Sequence, residues 1–174
     1  SWSRGLGDVY KRQLMSDDFK INDATYSGTK EVDQNLKFDT NLLQDWMHEY
    51  IPNCESISSV EQFKGGQSNP TYKILTKTGA YVLRRKPPGK LLPKAHAVDR
   101  EYKVISALEE TDVPVPKTFG LCDDHDVVGT PFFMMEFVEG KVFWDHLLPS
   151  CSKTERAQIY RDKNRVIAAL HGVD

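Results

Sequence analysis

The sequence predicts an α+β fold: a five-stranded antiparallel sheet with one helix inserted after its third strand, followed by helices. Two observations carry this. Short runs rich in β-branched and aromatic residues, divided by strong turn signals, occupy residues 57–85 and return at 118–138. Between them, and again after residue 150, apolar residues recur at helical spacing.

Taken in order, residues 1–13, SWSRGLGDVYKRQ, lack the apolar run of a secretion signal and read as a non-native leader left by cloning or sequencing. Residues 14–37 are polar, with Asp17-Asp18, Asn22-Asp23 and Ser27-Gly28, and read as a flexible lead-in. Asp39 is a good N-cap, and Phe38 and Leu43 are spaced for a hydrophobic staple, so a helix is expected from about Thr40 to Tyr50, stopped by Ile51-Pro52. Strand character follows at Ile57 to Lys64, Thr71 to Thr76 and Ala80 to Arg85, separated by Gly65 to Pro70 and by Thr78-Gly79.

From Ala95 to Glu110 the period turns helical. Val98, Tyr102, Ile105 and Leu108 form one row, and Ala97, Glu101, Val104 and Leu108 a second. Val113-Pro114-Val115-Pro116 forces an extended connection. Two more strands are expected, Thr118 to Cys122 and Pro131 to Val138, joined by a polar turn at Asp123-Asp124-His125-Asp126. Ser152-Lys153-Thr154-Glu155 then matches a capping box, with Ile159, Val166, Ile167 and Leu170 as a buried stripe.

The composition narrows the function. A net charge of -2 with interspersed signs implies no broad positive face, so nucleic acid is not an expected partner. No run approaches 18 uncharged apolar residues, so no membrane-spanning helix is expected. Three scattered cysteines, Cys54, Cys122 and Cys151, fit reduced intracellular thiols, and no Cys/His spacing suggests a zinc site.

A sheet with a helix after its third strand is the plan of a protein-kinase amino-terminal lobe, and four pieces of the kinase signature can be placed on it. The first is the loop Gly65, Gly66, Gln67, Ser68, Asn69: glycines let backbone amides approach phosphate, and Ser68 and Asn69 add donors or acceptors at the tip. By itself it also reads as a plain hairpin turn. The second is Tyr81-Val82-Leu83-Arg84, which has the form of the V-A-I-K strand with arginine for lysine. Alternation puts Val82 and Arg84 on one face, Val82 to cover adenine and Arg84 to reach phosphate. A solvated basic strand end is the competing reading.

The third piece is Glu101, whose row of Ala97, Val104 and Leu108 holds a carboxylate on an apolar face. Such a charge needs a partner, and the third-strand cation is the obvious one. The fourth is the run Phe132 to Gly140, where a kinase hinge presents backbone groups to adenine and Met135 guards the back of the pocket.

Together GGQSNPTY, YVLRRKPPGKLLPKAHAVDREYKV, PVPK and GTPFFMMEFVEG closely resemble the aminoglycoside phosphotransferase-like kinases, especially the kinase module that precedes acyl-CoA dehydrogenase domains. The resemblance covers about residues 38–174 and implies an N-lobe over 38–138, then a hinge and the start of a C-terminal lobe over 139–174. It implies Arg84 as the phosphate-binding cation, Glu101 as its ion-pair partner, and the Glu136 carbonyl and Val138 amide as adenine contacts. It further implies ATP and Mg²⁺ as cofactors and phosphorylation of a small-molecule hydroxyl group. The acceptor is a hydroxyacyl-CoA or, alternatively, an aminoglycoside or choline-like alcohol.

A third possibility, a non-catalytic nucleotide-binding or interaction module, gains weight from the arginine at the lysine position. The location implied is intracellular, cytoplasmic by default, and mitochondrial or peroxisomal if an acyl-CoA dehydrogenase domain is fused.

The family's H-G-D-x-x-x-x-N segment and later metal-binding Asp are not in the sequence. The chain is therefore expected to be cut before the catalytic loop and to be inactive by itself, with metal ligands beyond its end. Phe143, Trp144, Leu147, Leu148 and the last helix are expected to be left with uncovered apolar surface.

Overall fold

The computed structural model describes residues 27–65, 68–89 and 96–173. The leader at 1–13, the lead-in as far as residue 26, Gly66 and Gln67 in the glycine loop, and Ala95 at the expected helix start lie outside the described residues.

Six strands form one fully antiparallel sheet: β1 (Thr29–Lys30), β2 (Ile57–Phe63), β3 (Thr71–Thr76), β4 (Ala80–Arg85), β5 (Thr118–Cys122) and β6 (Phe132–Glu136), in the order β1-β2-β3-β4-β6-β5. Helix α1 (Thr40–Tyr50) precedes the long strands, α2 (Val98–Leu108) sits between β4 and β5, the short α3 (His125–Val128) lies between β5 and β6, and α4 (Lys153–His171) ends the described chain.

The expected helices and strands form where local chemistry is strong. Asp39 caps α1 by accepting from the Asn41 amide at 2.8 Å. Ser152 and Glu155 close a reciprocal capping box on α4, Ser152 N donating to Glu155 Oε2 at 2.7 Å and Glu155 N to Ser152 Oγ at 3.2 Å.

The sheet has two chemically different faces, because side chains alternate along each strand. The register puts Tyr72, Leu83, Met134 and Gly120 in one row across β3, β4, β6 and β5. Helix α1 closes this face with Leu43, Trp46 and Met47. Trp46 meets the Phe132 ring edge-on at 4.9 Å and stacks on Tyr50 at 4.5 Å. Gly120 lets the helix approach closely there, since a Cβ would stand 3.1 Å from the Tyr50 ring and 3.2 Å from that of Trp46 and would press both back by a few tenths of an ångström. The opposite row, Lys73, Val82, Met135 and Thr118, faces the side on which α2 lies, where Tyr102 packs 6.1 Å from Phe133.

Five expectations need correction. The sheet has six strands, not five, because the polar lead-in is structured from Ser27 onward. Thr29–Lys30 pairs with Phe63 and Gln62, and a 3-10 turn at Gln34–Leu36 is pinned by hydrogen bonds to the Leu36 carbonyl. The Asp123–Asp126 turn contains α3, because Asp124 caps it from the Asp126 amide at 2.8 Å and Gly129 ends it at φ 87°.

Helix α2 does not hold Glu101 on a buried row, since Val104 is 58 % exposed. None of the α4 stripe is buried among the described residues, Ile167 and Leu170 being about half exposed. Leu148 is covered, and Trp144 is half-buried, its indole N–H donating to Ser27 Oγ at 3.0 Å; Phe143 and Leu147 are exposed as expected.

Candidate functional site

The open face of the sheet leads into a cleft of about 800 Å³. Its floor is Val82 and Met135, adjacent in the β4–β6 register. One side is made by Phe63, Gly65, Thr71 and Lys73 of β2, β3 and their loop, and the other by Val115 between Pro114 and Pro116. Glu136, Phe137 and Val138 form the rim where β6 runs out, and Ser27–Thr29 and Trp144 close the far end. Phe63 and Phe137 lie nearly parallel with centroids 6.4 Å apart, and Lys73 Nζ sits 4.1 Å above the Phe137 ring.

A second hollow of about 670 Å³ adjoins it, lined by Ser68, Asn69, Arg84, His96, Arg100 and Glu101 together with apolar positions of α2. Arg84 lines both spaces. It therefore stands where the slot over Val82 and Met135 meets a hollow that carries charged and amide side chains.

Arg84 is held by a closed circuit of hydrogen bonds. Its Nε donates to Glu101 Oε2 at 2.5 Å and its Nη2 to Oε1 at 3.4 Å, while Nη1 donates to Thr71 Oγ1 at 3.0 Å. The Thr71 hydroxyl donates in turn to the Asn69 carbonyl at 3.0 Å, and Asn69 Nδ2 returns to Glu101 Oε1 at 2.9 Å. The pair is partly exposed, at 27 % for the arginine and 36 % for the glutamate side chain. Beside it Lys86 and Asp99 make a looser contact at 3.9 Å between the strand end and α2.

The residues singled out from the sequence fall as follows. Arg84 and Glu101 meet. Val82, Met135, Glu136, Val138 and Gly65 line the cleft, and Ser68 lines the adjoining hollow. Asn69 does not stand at an open loop tip: it is 2 % exposed, and both ends of its carboxamide are engaged, by Glu101 and by His96 Nδ1 at 2.9 Å. The Glu136 amide is used by the sheet edge, donating to the Lys117 carbonyl at 2.8 Å.

Sequence reading passed over Thr71, Lys73, Phe63, Phe137 and His96. Alternation could have found Thr71 and Lys73, which share a face with Arg84 and Val82 through the β3–β4 register. His96 gave no local signal, since what matters is its backbone at φ 56°.

Among the described residues no three His, Cys, Asp or Glu side chains gather to hold a metal, and no helix is long and apolar enough to cross a membrane. The Glu101 carboxylate is already occupied by Arg84 and Asn69.

Comparison with known proteins gives this geometry a context. A crystal structure of an aminoglycoside phosphotransferase candidate from Ralstonia eutropha JMP134 superposes with a TM-score of 0.68 and 48% identity, over 79% of this chain and 39% of that one. Acyl-CoA dehydrogenase family member 11 of Rattus norvegicus is 43% identical over 150 residues, which is 84% of this chain and 19% of the relative. Acyl-CoA dehydrogenase family member 10 of Mus musculus is 45% identical over 113 residues, 65% of this chain and 11% of the relative. The chain thus spans about a fifth or less of the length of these curated relatives. Residues 59–174, from the first long strand through the last helix, match a described family of kinase-like transferases, and this chain belongs to that phosphotransferase enzyme family.

Proposed function

We propose that the chain is the nucleotide-binding part of a kinase that moves the γ-phosphate of ATP to the hydroxyl group of a small molecule. The observation that carries this reading is the position of Arg84, tied to Glu101 at the junction of an apolar slot and a hollow lined by charged and amide side chains. A purine fits the slot between Val82 and Met135 below and the Phe63 and Phe137 side, with backbone groups of Glu136 to Val138 at its edge. The phosphates then extend past Arg84, between Gly65 and Ser68.

The arithmetic of donors favours arginine in this role. A guanidinium has five N–H groups; three are spent on Glu101 and Thr71, and two remain for phosphate oxygens. Glu101 fixes the plane of the fork, so the charge is aimed before the ligand arrives. When bound, ATP supplies the transferable phosphoryl group. The described residues bind and orient it.

The acceptor reading rests on names alone. The curated relatives are acyl-CoA dehydrogenase family members, which favours a hydroxyacyl-CoA and a fused dehydrogenase domain. The solved structure is named for aminoglycosides, which favours an amino-sugar alcohol.

Calorimetry and thermal melts with Mg-ATP test the site. At a hundredfold excess over Kd a bound ligand stabilises by about 2.7 kcal/mol, which raises Tm by about 5–10 °C in a protein of this size. Arg84→Ala and Glu101→Ala should each cut that rise. A folded sample whose Tm ignores saturating nucleotide removes the nucleotide assignment.

A further inference from the structure

We infer that His96 is a positioning residue for the phosphate loop: its ring, acting as a donor through Nδ1, sets the orientation of Asn69 and through it the Arg84–Glu101 pair.

The inference begins with a buried carboxamide. Asn69 is 2 % exposed, ends the glycine loop, and precedes Pro70, which restricts its backbone. An ionised carboxylate only accepts, so the group of Asn69 that faces Glu101 Oε1 at 2.9 Å is the NH₂. The carbonyl end, Oδ1, is thereby turned to His96 Nδ1, also at 2.9 Å. Two acceptors cannot share that contact, so Nδ1 carries the proton and donates.

Without this donor, Oδ1 is a buried acceptor left unsatisfied, and the loop must shift to find another. The same carboxamide supplies one edge of the circuit around Arg84, so a shift there also loosens Glu101. The backbone points the same way. His96 is held at φ 56°, an uncommon conformation for a residue with a side chain, immediately before α2. Such local strain persists only where surrounding contacts over-determine it.

The consequence for ligand binding rests on the nucleotide reading of the cleft; the His96–Asn69 link does not. The test therefore has two arms. In the first, long-range proton–nitrogen NMR of ring-labelled wild-type chain at about pH 8, where an ordinary imidazole is neutral, reads which nitrogen of His96 is protonated. The signal is assigned by its loss in His96→Asn. An Nδ1–H ring is expected, and an Nε2–H ring overturns the inference.

In the second arm, Mg-ATP affinity is compared in two variants. Asparagine tolerates positive φ and offers its own NH₂ near the Nδ1 position, whereas glycine is the most comfortable residue at that φ but offers no donor. His96→Asn should stay within about threefold of wild type, and His96→Gly should weaken binding about tenfold, the scale of one hydrogen bond to a buried group. Wild-type affinity in the glycine variant, or equal weakening in both, overturns the donor role. If no form binds Mg-ATP, the nucleotide reading falls, while the NMR arm still decides the His96–Asn69 link.

Discussion

Arg85 follows Arg84 along β4 but points to the opposite face, and exchanging each for methionine separates a structural arginine from a site arginine. Arg85 is 3 % exposed. Its Nε donates to the Tyr72 hydroxyl at 3.1 Å, Nη1 to the Val128 carbonyl at 2.5 Å and Nη2 to the Leu36 carbonyl at 2.7 Å. The guanidinium also lies over the rings of Phe38 and Tyr72, at 5.2 and 5.3 Å. Burial pushes the Tyr72 phenol pKa up, so it stays protonated and passes its own hydrogen to Leu36 at 3.3 Å.

Arg85→Met keeps the aliphatic stem but removes all three donated bonds, leaving the Val128 carbonyl without this donor while Leu36 keeps that of Tyr72. Hydrogen bonds from a charged donor are worth about 1.5–3 kcal/mol each, but they are not additive, and removing the charge returns its desolvation cost. A net loss of about 3 kcal/mol follows, or about 6–12 °C in Tm. Arg84→Met should cost about 1 kcal/mol or less, because its ion pair is partly exposed. Urea unfolding followed by tryptophan fluorescence measures both, with Trp46 reporting from the α1 interface. Equal losses for the two variants would refute the division of labour.

Three further outcomes are expected. Arg84→Lys should weaken Mg-ATP binding about tenfold, because an ammonium has three donors in place of five and cannot serve Glu101, Thr71 and phosphate in the same geometry; calorimetry with unchanged affinity would count against the donor argument. Glu155 is held below the usual carboxylate range, chiefly by its bond from the Ser152 amide. Its contribution is thus present above the unfolded pKa and lost as pH falls through the folded one, so the protection factors of the first-turn amides of α4, taken against the intrinsic exchange rate at each pH, should fall as the solution is acidified through the carboxylate range, and constant factors would count against the cap. Burial raises the thiol pKa of both Cys54 and Cys122, which are 8 % and 6 % exposed, so peptide mapping after brief alkylation should find Cys151 modified first, and equal rates would contradict the packing.

What could be read in advance was what local chemistry dictates. Asp39 and Ile51-Pro52 bound α1, the glycine and Thr78-Gly79 turns divide β2, β3 and β4, and Ser152 with Glu155 starts α4; each signal lies within a few residues of its effect. The Arg84–Glu101 contact was legible because alternation fixes the face of a strand residue and the kinase pattern pairs a third-strand cation with a glutamate of the inserted helix, even though the apolar row proposed around Glu101 is exposed. Contacts that join distant segments were not.

Thr29–Lys30 is too short to show a pattern and owes its strand to Phe63 and Gln62. Arg85 is the middle of three consecutive basic residues, Arg84-Arg85-Lys86, and only Leu36, Tyr72 and Val128, brought together by the fold, reveal it as buried. Val104 looked like core because period alone cannot say which apolar row of α2 the sheet covers.

The short edge strand changes where the site can be said to begin. Ser27, Gly28 and Thr29 wall the far end of the cleft, and Ser27 accepts from Trp144, 117 positions further along. That end of the cleft is thus closed by a contact between the start of the described chain and a segment beyond the last strand. A boundary drawn at the first long helix would pass through the wall of the cleft rather than alongside it, discarding residues that composition alone marks as dispensable.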